Sequence, residues 1–261
     1  MANRATNFVI LIGGPGKFVA CDRAHDQTWK NYVVPIQLAT SKNLLAVGKG
    51  ETIHWWVYGP AYTERWEDDV AYVSTPKPVK PGENLFDSRK QAINAIRAAK
   101  AVDYLGRIRQ IAAGLGVNLK VLDKPDDFWQ GLKSFPDGSV SRIWYIGHAS
   151  TTGLMLKLGH NALCQPSANM YTDMILKDDI IKSRAAIGRK LGVDPTKSSR
   201  FYGCFTAEFA RQWHDVFAVS TEGAINKIDF GVIDKPSAFP NVLDRLEHSN
   251  PDTEWKNFSS P

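Results

Sequence analysis

Short apolar runs bounded by glycine and proline predict the strands of this chain. Phe8–Ile12 is wholly apolar and ends in Gly13-Gly-Pro-Gly16, which is typical of a buried strand followed by a turn. Thr52–Tyr58 is rich in aromatic and β-branched residues and predicts another strand. Leu44–Val47 precedes it across a short segment that contains glycine, so we expect these two strands to form a hairpin.

The spacing of apolar residues changes to a helical period in the second third of the chain. From Asp87 to Gly114 they recur at three- and four-residue intervals, which predicts a long amphipathic helix. Strands and helices then alternate, a rhythm typical of a parallel sheet with crossover helices. The later predicted elements are strands at 117–122, 143–146, 153–159, 201–202 and 218–220, and helices at 126–132, 173–191, 206–217 and 242–247.

A proline-rich stretch at 74–84 divides the chain. It holds three prolines and a glycine, so we expect it to be extended and exposed. We therefore predict a β-rich N-terminal portion over residues 1–84 and an α/β domain over residues 85–261. Whether the two parts form a single domain stays open at this point.

Two of the predicted strands are each followed by a glycine and then by a residue that can take part in catalysis. Ile143–Ile146 runs out into Gly147-His148, and Phe201-Tyr202 runs out into Gly203-Cys204. Because parallel strands present their carboxyl ends at one edge of a sheet, we expect His148 and Cys204 to lie side by side. A histidine beside a cysteine is the pair that nucleophilic catalysis by a thiol requires.

The helix predicted from Thr206 begins directly after this cysteine. Its free amides and its dipole favour the thiolate form of Cys204, and amides at such a place can hold an oxyanion. Taken singly, each residue also fits a structural role, Cys204 as a small buried side chain and His148 as a hydrogen-bonded residue at a strand end. Their matching positions favour the catalytic interpretation.

The two motifs resemble those of caspase-like cysteine peptidases, in particular the gingipain and CHAT-domain branches. Tyr145-Ile-Gly-His-Ala-Ser150 with Gly153-Leu-Met-Leu156 is similar to their strand, Gly-His-Gly-Ser and hairpin segment. Phe201-Tyr-Gly-Cys-Phe-Thr-Ala207 is similar to their strand and Cys-x-Thr segment. His148 precedes Cys204 by 56 positions, near the spacing of about 50 in caspases. The resemblance implies a mostly parallel caspase-like sheet sandwiched by helices, with residues 1–84 as an N-terminal β-rich extension.

The resemblance also implies a function. His148 would be the general base and Cys204 the nucleophile of a cysteine endopeptidase that cuts a protein or peptide through an acyl-enzyme intermediate. The backbone amides of Ala149 and Cys204 would form the oxyanion hole, although Ala149 stands where the family usually has glycine, which narrows the approach of substrate. The family's specificity pocket draws on the region of Glu222 and Asp229, so either carboxylate would select a basic side chain. We expect no cofactor and no metal.

Two alternatives remain beside this interpretation. The chain could be a caspase-like domain that is catalytically weak or inactive and serves as a binding or scaffold module. It could also bind a nucleotide through Gly13 to Lys17. The glycine spacing there is wrong for a phosphate loop, however, and Phe18 stands in place of the metal-binding hydroxyl.

Composition and charge limit the possible partners and the cellular location of the protein. The chain has 261 residues, of which 43% are hydrophobic, enough for a substantial core. The net charge of +5 comes from scattered basic residues, so we expect neither nucleic acid nor membrane as a partner, whereas an inhibitor or regulatory protein stays open. The odd count of three cysteines, with no signal peptide or spanning segment, predicts a cytoplasmic protein. Export by a signal-independent route, as for a bacterial effector, stays open.

Overall fold

A computed structural model describes residues 7–17, 29–41, 50–74, 94, 96, 102–158, 173–192, 194, 196–234, 242–248 and 253–259. The predicted strand Leu44–Val47, most of the proline-rich stretch and most of residues 87–101 of the predicted long helix lie outside these ranges. Two of the three cysteines, Cys21 and Cys164, lie outside them too. The boundary proposed between residues 84 and 85 lies outside them as well.

A seven-stranded, mostly parallel sheet organises the described residues. The strands are β1 (Asn7–Ile12), β2 (Thr52–Tyr58), β3 (Asn118–Leu122), β4 (Val140–Ile146), β5 (His148–Ser150), β6 (Gly153–Met155), β7 (Met174–Leu176), β8 (Ser199–Tyr202), β9 (Thr221–Ala224) and β10 (Trp255–Phe258). The large sheet has the order β10-β9-β8-β4-β1-β2-β3, and β10 is its one antiparallel strand. A small antiparallel sheet, β5-β6-β7, stands beside it.

The helices form two packed groups. They are α1 (Lys30–Ser41), α2 (Gly59–Ser74), α3 (Tyr104–Leu115), α4 (Asp126–Lys133), α5 (Lys177–Ile187), α6 (Ala207–Phe217) and α7 (Val242–Glu247), with a 3₁₀ helix at Phe230–Asp234. In one group, α1 contacts α3 and α7, and α2 contacts α3. In the other, α5 lies between α4 and α6.

The central strands are buried along their length because both of their faces are covered. Every residue of β4 is buried, as are five of the six residues of β1. Alternate residues of a strand point to opposite faces, so this burial requires packing on both sides of the sheet. The prediction of an α/β fold with a mostly parallel sheet is confirmed.

The N-terminal portion is not the β-rich extension expected over residues 1–84. Its described residues form two strands and two helices, and β1 lies near the centre of the sheet, between β4 and β2. β2 pairs in parallel with β1 on one side and with β3 on the other. The two strands of this portion, β1 and β2, therefore belong to the same sheet as the later strands.

The long helix predicted from Asp87 to Gly114 does not run unbroken. Asp103 has non-helical backbone angles (φ −58°, ψ 168°) and its carboxylate accepts a hydrogen bond from the Gly106 amide at 2.5 Å. It thereby caps a new helix, α3, which ends at Gly116 in the left-handed conformation (φ 66°). A side chain that caps a helix competes with continuation of the preceding turn, and apolar spacing does not reveal that competition.

Other boundaries shifted for local reasons. The start of the helix predicted over 173–191 forms β7, and α5 ends at Ile187, before Gly188. The strand predicted at 218–220 begins at Thr221, because Ala218 ends α6 in the left-handed conformation (φ 53°). The sequence did not predict α1 and α2. Pro35 lies inside α1, and α2 buries Arg65 and Asp69, so neither shows a simple apolar stripe.

Two negative findings apply to the described residues alone. None of their helices combines the length and the apolar character needed to cross a membrane. They also contain no group of three or more His, Cys, Asp and Glu side chains placed to hold a metal ion.

Candidate active site

His148 and Cys204 follow neighbouring strand ends at one edge of the sheet. β4 and β8 pair in parallel with Ile146 opposite Tyr202, and the Gly147 amide donates to the Tyr202 carbonyl at 3.0 Å. The pairing therefore continues one residue past β4. His148 and Cys204 each lie two residues beyond the end of their strand. The structure thus places the two predicted dyad residues at the same end of adjacent strands, where ligands collect in open α/β sheets.

Glycine follows each of three adjacent strands at this edge. Gly13 comes after β1, Gly147 after β4 and Gly203 after β8. A Cβ on Gly147 would come within 2.5 Å of the Tyr145 hydroxyl, and one on Gly203 within 2.8 Å of the Ala149 Cβ. The glycines of both motifs therefore permit close packing of the strand ends, a need that is separate from catalysis.

Tyr145 fixes the segment that carries the histidine. Its buried hydroxyl contacts the backbone carbonyl oxygens of both His148 and Met155, the latter at 2.7 Å. His148 and Met155 face each other where β5 pairs with β6. The Tyr145 hydroxyl therefore fixes the position of the His148 backbone relative to the sheet.

Phe205, directly after the cysteine, has a left-handed backbone (φ 59°). This conformation is costly for a bulky residue and persists only where the surrounding structure imposes it. The Phe205 amide donates to the Asn226 carbonyl at 3.1 Å. The hydroxyl of the fully buried Thr206 donates to the Phe201 carbonyl at 2.6 Å and accepts from the Ala224 amide at 3.1 Å. These bonds hold the turn that presents Cys204 at the start of α6.

The thiol of Cys204 is partly buried beside the loop that follows β9. The Ile228 amide donates to Sγ at 3.4 Å, and Sγ lies 3.8 Å from the Ile228 carbonyl oxygen. Burial raises the pKa of Cys204, and this outweighs the opposing effects of the Ile228 amide and of the Lys227 cation. The start of α6 was expected to favour the thiolate of Cys204. In this structure the cost of burying a charged sulfur is the largest effect, so the neutral thiol is favoured instead.

Aromatic side chains cover His148, which is only 7% exposed. The Tyr32 ring of α1 meets the imidazole edge to face, with the ring centroids 5.6 Å apart. Phe230 of the 3₁₀ helix packs edge to face on the Tyr32 ring, with the ring centroids 5.0 Å apart. Burial raises the pKa of Tyr32 and of Tyr145, and the charge of ionised Cys204 adds to both shifts. The thiol and the two phenols therefore share one desolvated neighbourhood with the imidazole.

Sequence reasoning did not find Tyr32. Its helix contains Pro35, which argues against a helix interior in a sequence pattern. The available signal was the spacing of Tyr32, Val33 and Ile36, all fully buried in the structure, which is the i, i+1, i+4 pattern of an inward helix face.

Ala149 lies in β5 and is buried where the hairpin meets the end of β8. Its methyl group occupies the space that a side chain at position 203 would need. Its amide follows β4 by three residues, and that of Cys204 follows β8 by two, so both belong to the same sheet edge. The two amides predicted for the oxyanion hole are brought into one region.

The two carboxylates predicted to select substrate have different surroundings. Glu222 pairs with Arg200 across β8 and β9, and an ion pair joins its Oε2 to Arg200 Nε at 3.0 Å. Asp229 is exposed and accepts a hydrogen bond from the Gly231 amide at 2.8 Å. Its charge adds to the burial that raises the pKa of Cys204. Asp229 is therefore close enough to the Cys204 thiol to affect its pKa, whereas Glu222 forms an ion pair with Arg200 within the sheet.

The backbone amides of the glycine-rich turn after β1 form hydrogen bonds within the fold. The amides of Gly13 and Gly14 donate to the carbonyls of Ile146 and Leu156, each at 2.9 Å. Pro15 has no amide hydrogen to offer. A phosphate loop binds through free backbone amides, so these bonds count against the nucleotide-binding alternative.

Comparison of the chain with protein-family models, with curated proteins and with solved structures finds no match. Its function therefore has to be argued from the site itself.

Proposed function

We propose that this chain is a caspase-like cysteine endopeptidase whose His148–Cys204 dyad works through an acyl-enzyme intermediate. The observation that supports it most is the position of both residues just past the ends of paired strands, β4 and β8. The β5–β6 hairpin that begins at His148 agrees with the arrangement that the resemblance implies. The left-handed turn at Phe205 adds local strain of the kind that concentrates at functional sites.

The reaction has two steps. His148 takes the thiol proton as Cys204 attacks the carbonyl carbon of a peptide bond, and the C–N bond breaks as His148 returns that proton to the leaving amine. The acyl group stays on sulfur as a thioester. Water then gives a proton to His148 and attacks the thioester, the C–S bond breaks, and the thiol regains its proton.

The raised pKa of Cys204 bears on how the dyad works. A partly buried thiol keeps its proton at neutral pH, so few molecules hold a thiolate before substrate binds. His148 therefore acts as a general base in the attack itself, in contrast to a dyad that rests as an ion pair. The amides of Ala149 and Cys204 then stabilise the oxyanion of the tetrahedral intermediate.

Substrate selection falls to Asp229 in this proposal. An exposed carboxylate near the thiol can pair with an arginine or lysine side chain next to the cut bond. Glu222 is the second candidate; it forms an ion pair with Arg200 within the sheet and is not among the main causes of the raised pKa of Cys204. We propose cleavage after a basic residue.

A second candidate is a caspase-like binding or scaffold module with little or no activity. The burial of His148 and the raised pKa of Cys204 favour it, because neither is needed for catalysis and both hinder access or ionisation. The module would use the same fold without the chemical step.

Cleavage of a diverse peptide library separates the two candidates. The proposal predicts peptide products from the wild-type protein, and their loss in both Cys204→Ala and His148→Ala proteins that melt at the wild-type temperature. A wild-type protein that leaves the library intact, or a Cys204→Ala protein that cuts equally well, would favour the binding module.

A further inference from the structure

The hydroxyl of Tyr32 is buried without a hydrogen-bond partner among the described residues. The side chain is 0% exposed, and its oxygen is also inaccessible to solvent. Buried hydroxyls in folded proteins are nearly always bonded, so each exception calls for a reason. A phenylalanine would fill the same space with no unbonded polar atom, which means that the hydroxyl contributes nothing to the fold that is visible here.

The position of Tyr32 offers the reason. Its ring packs edge to face on His148, with the centroids 5.6 Å apart. Burial is the main cause that raises the pKa of Tyr32, and the charges of ionised Tyr145, Tyr62 and Cys204 add to it, in agreement with the contact between its ring and His148. The indole nitrogens of Trp55 and Trp213 also lack partners, but Trp213 lies in a cluster of aromatic rings around α6.

The neighbouring phenols have their bonds within the fold. Tyr62 donates to the Gly13 carbonyl at 2.6 Å, and Tyr145 contacts the carbonyls of Met155 and His148. Of the three phenols grouped at this edge, Tyr32 is the one whose hydroxyl has no hydrogen-bond partner among the described residues.

We infer that Tyr32 is a substrate-contacting residue whose hydroxyl donates a hydrogen bond to the carbonyl oxygen of the group that Cys204 attacks. This inference rests on the proposed function and adds a third donor to the amides of Ala149 and Cys204. The phenol keeps its proton throughout, and no bond to Tyr32 forms or breaks. The bond strengthens as the carbonyl oxygen gains negative charge, which makes it a contribution to catalysis.

Two probes of the same thiol test this role. p-Nitrophenyl acetate acylates a cysteine through a tetrahedral oxyanion, whereas iodoacetamide alkylates it by direct displacement and forms no oxyanion. For Tyr32→Phe we expect acylation of Cys204 to fall about 100-fold, as on loss of an oxyanion-hole donor. Alkylation of Cys204 should keep the wild-type rate, and the melting temperature should stay equal or rise.

Tyr62→Phe is the matched control, because it removes a buried hydroxyl that is bonded within the fold. It should lower the melting temperature and leave the ratio of acylation to alkylation unchanged. A Tyr32→Phe protein with the wild-type ratio overturns the inference about Tyr32 alone. One that melts lower or fails to fold also overturns it, since the hydroxyl would then serve the fold. If wild-type Cys204 alkylates but is never acylated, both this inference and the proposed function fail.

Discussion

Gly203 lies directly against Ala149 where the end of β8 meets the β5–β6 hairpin. A Cβ added to Gly203 would stand 2.8 Å from the Ala149 Cβ and 2.9 Å from the Gly147 carbonyl oxygen. Both distances are shorter than atoms in proteins tolerate, and one of the two contacts is with rigid backbone. The residue before Cys204 and the residue after His148 are therefore fitted to each other.

Gly203→Ala should overpack this contact and lower the free energy of unfolding by about 1–3 kcal/mol. In an Ala149→Gly background the same change should cost less, because one of the two clashing groups is gone. Urea denaturation of the four proteins measures the coupling. Equal costs of Gly203→Ala in the two backgrounds would contradict the contact.

The turn after Cys204 predicts an unusual effect of glycine on stability. Phe205 has φ 59°, a region that glycine enters without steric cost. Phe205→Gly should therefore be more stable than Phe205→Ala, by about 1–2 kcal/mol, the cost of the left-handed conformation for a residue with a Cβ. Denaturation of both variants checks this, and an alanine variant of equal or greater stability would count against a left-handed turn.

Glu222 and Asp229 should respond differently to loss of charge. Asp229→Asn should depress cleavage after arginine and lysine while Cys204 still reacts with iodoacetamide, because only the selecting carboxylate is lost. Glu222→Gln should chiefly lower stability, because it leaves the half-buried Arg200 with one carboxylate fewer. Peptide-library profiles and thermal melts of the two variants check this, and a preference for acidic residues in the wild type rules out the assignment.

The sequence was sufficient to locate the two strand ends, because an apolar run that stops at Gly-His or Gly-Cys is a local signal. The layout of β4 and β8 as neighbours follows from the general rules for parallel sheets. The ring that packs on His148 was not predictable, since Tyr32 lies far from His148 in the chain. The raised pKa of Cys204 was missed for the same reason, because a helix start is visible in sequence and desolvation is not.

The pH dependence of alkylation tests the state of the thiol. Burial raises the pKa of Cys204, so the thiolate fraction at neutral pH should be smaller than for an exposed cysteine, and it should grow as pH rises. In a Cys21→Ser/Cys164→Ser/His148→Ala protein, the rate with iodoacetamide should still be rising above the ordinary titration range of a thiol, about 8.5. A rate that levels off below this range would mean that the fold itself stabilises the thiolate.

If His148 and Cys204 act together, loss of the imidazole should slow the reaction of the thiol with a substrate-like inhibitor. The protein is incubated with a peptidyl acyloxymethyl ketone that carries arginine next to the reactive group, and the modified residue is identified by peptide mapping with mass spectrometry. The account predicts a single adduct on Cys204, formed at least about 100-fold more slowly in His148→Ala, the scale of a lost general base. An adduct that forms equally fast without His148, or that maps to another residue, would contradict the dyad.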